Sequence, residues 1–319
     1  MSKRALVTGG AGFIGSNLTS ALLKGGWHVD VVDDMSNGHS EFVPAGINFF
    51  YANDFSASKV IAAVNSQGYD VVFHLAAQPR VSYSVERPVE THDINVSRTL
   101  SLLDACRSKV GRFVFASSSS VYGDGCGLPT DEMSPLRPQS PYATQKLVME
   151  EYLRLYSRLY GLDSVALRFF NVYGTNQLGG SPYSTAVSAW LTAIHRDQSM
   201  RFDGDGSQTR DMVHVDDVVA ALIGAACHGR DLCGEAFNIG TGRAVSNIAI
   251  RDALLTRYPN AKWHSAPPRV GDVKHTLASV SKARDVFGYV PQVHFDEGLL
   301  KTIEWYESAD NIVKGVKHA

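Results

Sequence analysis

One segment, Thr8-Gly9-Gly10-Ala11-Gly12-Phe13-Ile14-Gly15, limits the possible folds of this chain more than any other. A short apolar run, Arg4–Thr8, leads into it. A helical pattern from Phe13 to about Lys24 leads out and stops at Gly25-Gly26. Glycine suits such a strand-to-helix turn because the backbone must bend tightly and come close to a pyrophosphate, leaving the helix N-terminal amides to bind it. Gly10, Gly12 and Gly15 match one dinucleotide spacing, and Gly9, Gly12 and Gly15 match its variant. An acid, Asp33, closes the next strand, Val29–Val32. A carboxylate there accepts hydrogen bonds from the adenosine ribose and repels a 2′-phosphate. No Arg or Lys lies between Asp34 and Ser40 to attract one, so the segment predicts NAD rather than NADP. Asp34 either shares this role or is a solvated turn residue.

Strand and helix patterns alternate through the first half of the chain. After Val29–Val32 come a strand at Ile47–Tyr51, a helix near Ser58–Ser66, strands at Asp70–Leu75 and Arg112–Ala116, and a long helix across Val89–Ser108 between those two strands. A further helix runs from about Tyr142 to Tyr160 and ends at Gly161. Short apolar strands alternating with helices predict an α/β fold, a Rossmann-type doubly wound parallel sheet. After Arg168 the alternation is lost and Gly, Pro, Ser and Asn crowd Asn171–Tyr183. The expected organisation is a dinucleotide-binding domain over residues 1–167, with a return segment near 214–235. A smaller, mixed C-terminal substrate-binding domain covers 168–213 and 236–319. The last residues, Asn311–Ala319, read as a frayed tail.

The 319 residues are 44% hydrophobic and 19% charged, as expected of a globular protein with a sizeable core. A formal net charge of −2 favours neither nucleic acid nor an anionic membrane as partner. Cys106, Cys126, Cys227 and Cys233 are far apart, without C-x-x-C or a His cluster at metal-ligand spacing. They are expected to be reduced thiols in a cytoplasmic protein, and no metal is expected. No apolar run reaches membrane-spanning length. On the helix Tyr142–Tyr160, apolar residues from Leu147 to Leu159 cover more than one face. Either a second subunit covers the outer face, making a homodimer, or later segments of the same chain do.

In Tyr142-Ala-Thr-Gln-Lys146 the two reactive side chains share one helix face, being four residues apart. A free phenol titrates near pH 10, too high for a useful base. A neighbouring ammonium and a cationic nicotinamide favour the phenolate, so Tyr142 is the candidate base and Lys146 its partner, which can also hold the nicotinamide ribose. A serine run, Ser117–Ser120, stands just beyond a predicted strand.

These features belong to a longer ordered series. It comprises TGGAGFIGSN from Thr8, Asp54-Phe55, HLAAQ at His74–Gln78, Asn95, SSSSVYG at Ser117–Gly123 and PYATQK at Pro141–Lys146. It continues with RFFNVYG at Arg168–Gly174, RDMVHVDD at Arg210–Asp217, FNIGTG at Phe237–Gly242 and RVGD at Arg269–Asp272. Over nearly its whole length the chain resembles an extended short-chain dehydrogenase/reductase of the NAD-dependent nucleotide-sugar epimerase/dehydratase family, and within it the UDP-glucose 4-epimerase branch. The resemblance implies a catalytic set of Ser118, Tyr142 and Lys146. It implies cofactor contacts from Gly9, Gly12, Phe13, Ile14, Gly15, Asp33, Asn37, Asp54, Phe55, Leu75, Ala76, Ala77, Gln78, Asn95 and Phe170, besides Tyr142 and Lys146. For the UDP-sugar it implies Ser118 and Ser119 near the sugar, Asn171 at the sugar or diphosphate, and Tyr183–Thr185 near the uridine, with Thr185 a named contact. Arg210 and Arg269 correspond to the diphosphate-binding arginines, and Asp272 joins Arg269. The alternative for Arg210 is an ion pair with Asp211.

The family's outcomes differ by residues near Ser118. Relatives that eliminate water or release carbon dioxide carry Thr at that position and an acid two residues later, whereas this chain has Ser118-Ser119-Ser120. Reductive epimerases that make GDP-fucose use Cys and His, absent here. Epimerisation at C4 is therefore the expected reaction. Thr276 falls where some glucose-restricted epimerases carry a bulky Tyr beside the sugar C2 substituent, which implies room for an N-acetyl group. Pro79-Arg80 depart from the usual residues after HLAAQ. Arg80 either meets a C6 carboxylate, as UDP-glucuronate would require, or is a surface or interface arginine. The expected order is UDP-GlcNAc/UDP-GalNAc, then UDP-Glc/UDP-Gal, then UDP-GlcA/UDP-GalA. A dehydratase, decarboxylase or NAD-dependent reductase is a second reading, and a non-catalytic NAD-binding scaffold a third.

Overall fold

A computed structural model describes residues 2–51, 54–125, 127–179, 185–267, 273–309 and 312–313. Arg269, Asp272, Tyr183, Cys126 and most of the expected C-terminal tail lie outside the described residues.

The strands are β1 Arg4–Thr8, β2 His28–Asp33, β3 Asn48–Tyr51, β4 Val71–His74, β5 Arg112–Ser118, β6 Ser164–Phe169, β7 Asn171–Tyr173, β8 Met200–Asp203, β9 Thr209–His214, β10 Glu235–Ile239, β11 Ala244–Ser246 and β12 Trp263–Ala266. Seven of them form one sheet in the order β10-β6-β5-β4-β1-β2-β3. All its pairings are parallel. Parallel strands need helices on both faces, and two separate apolar clusters show them. On one face Leu18, Leu22, Val218 and Leu222 of helices Phe13–Lys24 and Val215–Cys227 pack on the strands. On the other are Val60, Val64, Leu102, Leu103, Met149 and Leu153. The sheet is thus the doubly wound Rossmann type expected. From β1 the chain winds outward through β2 and β3, then returns to place β4 on the other side of β1. That reversal opens a crevice at the carboxyl ends of β1 and β4.

Two strands of this sheet lie beyond the sequence expectation. In β6 the buried Arg168 interrupts the apolar signal. The strand β10 continues the return segment through Ile239, past the expected 235, and pairs with β6. The expected long helix is present but broken in character: Pro88–His92 is α-helical, Asp93–Arg98 is a π-helical turn, and Thr99–Cys106 is α-helical. A short helix, Val81–Glu86, precedes it.

The smaller part holds a three-stranded sheet, β11-β9-β7, and a two-stranded one, β12-β8. Its core gathers Trp190, Phe202, Ile250, Leu254, Ile303 and Tyr306.

Candidate active site

A cleft of about 600 Å³ opens over the reversal and runs between the two parts. Its floor is the glycine turn. Gly9 has φ +71°, and a Cβ there would stand 2.8 Å from the amide nitrogen of Ala76. At Gly15 a Cβ would lie 2.0 Å from the carbonyl oxygen of Gly9. A Cβ on Gly12 would meet only that same oxygen, at 3.2 Å, so it would occupy space facing the cleft. The helix that begins at Phe13 has no side-chain cap and no acid in its first turn. An uncapped N-terminus reached over glycine suits a diphosphate.

Asp33 sits beside this turn, 8% exposed, and accepts the amide of Ala11 at 2.9 Å through Oδ2 and that of Met35 at 2.9 Å through Oδ1. Burial raises its carboxyl above the ordinary value, and the amides of Met35, Ala11 and Gly12 act against that rise. A carboxylate held by amides keeps further lone pairs for hydroxyl donors.

At the other end of the cleft stands the helix Pro141–Tyr160, which carries the expected base Tyr142 and its partner Lys146. Ser140 caps it by accepting the amide of Ala143 at 3.2 Å, Pro141 occupies its first turn, and Gly161 ends it at φ +67°. Lys146 is 3% exposed and donates to the carbonyl of Ala116 at 2.7 Å. Its Nζ lies 5.7 Å from the centre of the Tyr142 ring and 4.6 Å from that of Phe115. Tyr142 and Ser118 both line the cleft, and Ser118 is close enough to act on the Tyr142 phenol. Burial pushes the Tyr142 phenol up to about 12, with Ser118 acting in the opposite direction. Burial also lowers Lys146 to about 7, opposed by the charge of Glu150. In the protein without NAD, burial is the largest influence on the Tyr142 phenol.

The family model for the NAD-dependent epimerase/dehydratase family matches residues 5–240. The chain belongs to this family. The UDP-glucose 4-epimerase of Mycolicibacterium smegmatis is 37% identical over 316 residues, covering 96% of this chain and 99% of that protein. The structure of the Thermotoga maritima UDP-glucose 4-epimerase with UDP-glucose superposes with a TM-score of 0.90 at 34% identity, covering 96% of this chain and 99% of that one. The UDP-N-acetylglucosamine 4-epimerase of Methanobrevibacter ruminantium, in complex with UDP-N-acetylmuramic acid, gives 0.90 at 32% identity and the same coverage. The cofactor of the family is NAD, and the uncapped helix, the glycine floor and Asp33 fit it.

For a member of this family, the structure distributes the expected contacts unevenly. Gly9, Gly12, Phe13, Ile14, Gly15, Asp33, Asn37, Phe55, Leu75, Ala76, Ala77 and Phe170 line the cleft, with Tyr142 and Lys146. So do Arg80, Ser118, Asn171 and Thr185. Asp54, Gln78, Asn95, Ser119, Arg210 and Thr276 do not. Asn95 is buried, and its amide holds other protein groups: Oδ1 accepts the Gln78 amide at 2.7 Å, while Nδ2 donates to the Gln78 carbonyl at 3.0 Å and to Gln145 at 2.8 Å. It ties the HLAAQ loop to the helix Pro141–Tyr160. Asp54 caps its own turn through Ser56, 2.8 Å from the amide and 2.7 Å from the hydroxyl. Arg210 donates to the carbonyls of Thr209 and Lys274 at 3.0 and 3.1 Å. The anticipated alternative of an Arg210–Asp211 pair does not describe Asp211, whose carboxylate accepts from Thr241, Gly242 and Ala278 at 2.7 to 3.0 Å. Thr276 sits one layer back, its hydroxyl 3.5 Å from Oδ1 of the cleft residue Asn171.

Sequence reasoning missed Arg98, Ser117 and the loop Asn176–Gly179, all of which line the cleft. Arg98 was within reach, standing three residues beyond Asn95 on one helix. Asn176 has φ +65° and donates to Ser16 at 3.0 Å, while Asn17 and Thr175 exchange two hydrogen bonds at 3.0 Å each. Those contacts bind the second part of the chain to the first turn of the helix Phe13–Lys24.

Proposed function

We propose that the protein is a NAD-dependent 4-epimerase of UDP-sugars, acting on UDP-GlcNAc/UDP-GalNAc and also on UDP-Glc/UDP-Gal. The observation that carries the reaction type is the chemistry of the cleft wall around Ser118 and Tyr142. Two hydroxyls and one lysine face a substrate there. The carboxylates among the described lining residues are Asp33 and Asp34, at the far end of β2. Elimination of a hydroxyl needs an acid beside the sugar, and this wall supplies none.

NAD supplies a hydride acceptor and donor, so that C4 is oxidised to a ketone and reduced on its other face without net redox change. Tyr142 takes the proton of the 4-hydroxyl and returns it. Ser118 holds the sugar's 4-oxygen beside Tyr142, and Lys146 orients the cofactor ribose while keeping positive charge near the phenol. Gly9, Gly12, Phe13, Ile14 and Gly15 cradle the diphosphate of NAD, and Asp33 takes the adenosine ribose. Asn171 and Thr185, with Arg210, Arg269 and Asp272, are assigned to the UDP-sugar, placing substrate binding mainly in residues 168–213 and 236–319. The small Thr276 behind Asn171 supports an N-acetyl group at C2, in keeping with the likeness to the Methanobrevibacter enzyme. A second reading, a UDP-glucuronate 4-epimerase, is favoured by Arg80, which lines the cleft at the start of helix Val81–Glu86.

A homodimer is part of this proposal. Val81, Val85 and Val89 are exposed, Val89 by 83%, and so are Leu155, Leu159 and Tyr160 of the catalytic helix, Pro141–Tyr160, packed beside them. A cytoplasmic setting goes with it. None of the described helices is long and apolar enough to cross a membrane.

Proton NMR of the purified protein with UDP-GlcNAc, UDP-Glc and UDP-GlcA in separate tubes tests the proposal. The C4 epimer should form without accumulation of NADH, fastest with UDP-GlcNAc. Fastest turnover of UDP-GlcA would move the assignment to Arg80, and a keto sugar or carbon dioxide would overturn epimerisation. Tyr142→Phe should lower turnover by about 10²- to 10⁴-fold while NAD and UDP-sugar still bind, as measured by calorimetry.

A further inference from the structure

One turn behind Lys146 on the catalytic helix, a full ion pair is sealed inside the protein. Glu150 is 0% exposed and Arg168, on β6, 1%. The guanidinium grips both carboxylate oxygens, Nε to Oε1 at 3.0 Å and Nη2 to Oε2 at 2.6 Å. Its remaining arm, Nη1, donates to the Tyr122 hydroxyl at 2.8 Å, and Tyr122 donates to Asn238 at 2.7 Å. Oε1 of Glu150 also accepts the hydroxyl of Ser117 at 2.5 Å. Arg154, half-exposed, approaches Oε2 at 3.6 Å.

The placement of this pair is what gives it meaning. Ser117 and Arg168 are direct register partners across β5 and β6. The Glu150 carboxylate bonds to both and so fastens the catalytic helix to two strands at one point. On β5 that point lies between Ala116, whose carbonyl receives Lys146, and Ser118, which lines the cleft with Tyr142. An apolar trio would fill the same space without the desolvation of two charges, and buried ion pairs are often no better than such a replacement for stability. Bidentate pairing instead fixes direction and distance.

We infer that Glu150 and Arg168 are a positioning pair that sets the catalytic helix against β5, holding Lys146 on the Ala116 carbonyl and Ser118 against Tyr142. This rests on the reading of Ser118, Tyr142 and Lys146 as the reacting groups. It has an electrostatic side as well, because the Glu150 charge supports protonation of Lys146 against burial. Besides Glu150, the titratable groups near Lys146 among the described residues include Tyr142 on its own helix and His74 on β4, while Arg154, Arg168 and, beyond Arg168, Tyr122 gather about Glu150. His74 is lowered to about 3 by burial and by Lys146, and stays neutral.

The test uses the NAD-loaded protein and the variant Glu150→Gln. Turnover should fall about tenfold to a hundredfold, as a small misplacement of reacting groups does, with KM for the UDP-sugar within about twofold. The alkaline limb of the pH profile should move to lower pH. Trace acetylation of Lys146 against pH, read by peptide mass spectrometry without sugar nucleotide, should show its midpoint moving the same way. If Glu150→Gln does not fold, Glu150→Gln with Arg168→Gln removes the orphaned charge and is read identically. Unchanged turnover in a folded variant overturns the inference. So does a loss of turnover with both the limb and the acetylation midpoint unmoved, which is what general loosening produces. A wild-type protein inert toward every UDP-sugar, with the Lys146 midpoint still moved by Glu150→Gln, would end the proposed function and leave the positioning role standing.

Discussion

At the scale of single residues, the site is governed by desolvation more than by pairing. Lys146 illustrates the sign. Its folded value, about 7, lies below its ordinary 10.5, so between those limits the unfolded chain binds more protons than the folded one. Folding is therefore disfavoured by Lys146 at and below about pH 7, and that penalty fades as pH rises toward 10.5. Thermal melts of the protein free of NAD should show this in Lys146→Met: the difference in Tm between variant and wild type shrinks steadily as pH rises through that window. A constant difference would mean that Lys146 is not buried as described. Thr276 makes a different prediction. Because it stands behind Asn171 and touches it at 3.5 Å, Thr276→Tyr should push a ring toward the cleft. Turnover of UDP-GlcNAc should fall more than that of UDP-Glc, and equal losses would remove Thr276 as the gate. Tyr142, Lys146, Ser118 and Asp33 could all be named from spacing or resemblance, and all four line one cleft. Their environments could not be read that way. The high phenol value of Tyr142 depends on how much protein surrounds it, which spacing does not report.

At the scale of elements, the glycine turn and the helix after it are the clearest case of local chemistry dictating structure. The expected helix, Phe13 to Lys24, is the observed one. Gly15→Ala tests why glycine is there: its Cβ would stand 2.0 Å from the Gly9 carbonyl oxygen and 2.7 Å from the Gly10 Cα. Backbone on both sides cannot yield as a side chain can, so the variant should lose on the order of 1–3 kcal/mol of stability and bind NAD more weakly, as followed by denaturant unfolding and calorimetry. The helix from Pro88 shows the opposite case. Its sequence pattern is that of a continuous α-helix, but the turn Asp93–Arg98 is π-helical. Such a turn re-aims side chains, and here Asn95 faces the Gln78 backbone and Gln145 instead of the cleft. No one-dimensional pattern announces that rotation.

At the scale of the whole molecule, the exposed valines of Val81–Val89 and the leucines at the end of the helix Pro141–Tyr160 predict association. Val85→Glu combined with Leu159→Glu should shift a dimer to monomer in sedimentation velocity while leaving NAD bound, and an unchanged mass would place the interface elsewhere. The sequence by itself determined the alternation of strand and helix, the glycine turn, the acid that ends β2 and the Tyr142–Lys146 pair, because each depends on neighbours within a few residues. The tertiary structure decided what depends on distant partners. It inserted β10 beside β6, brought Asn17 to Thr175, and closed Glu150 onto Arg168 above the register pair Ser117–Arg168. Those contacts join segments far apart in the chain. Their energies come from burial and hydrogen-bond geometry that exist only once the sheet has assembled.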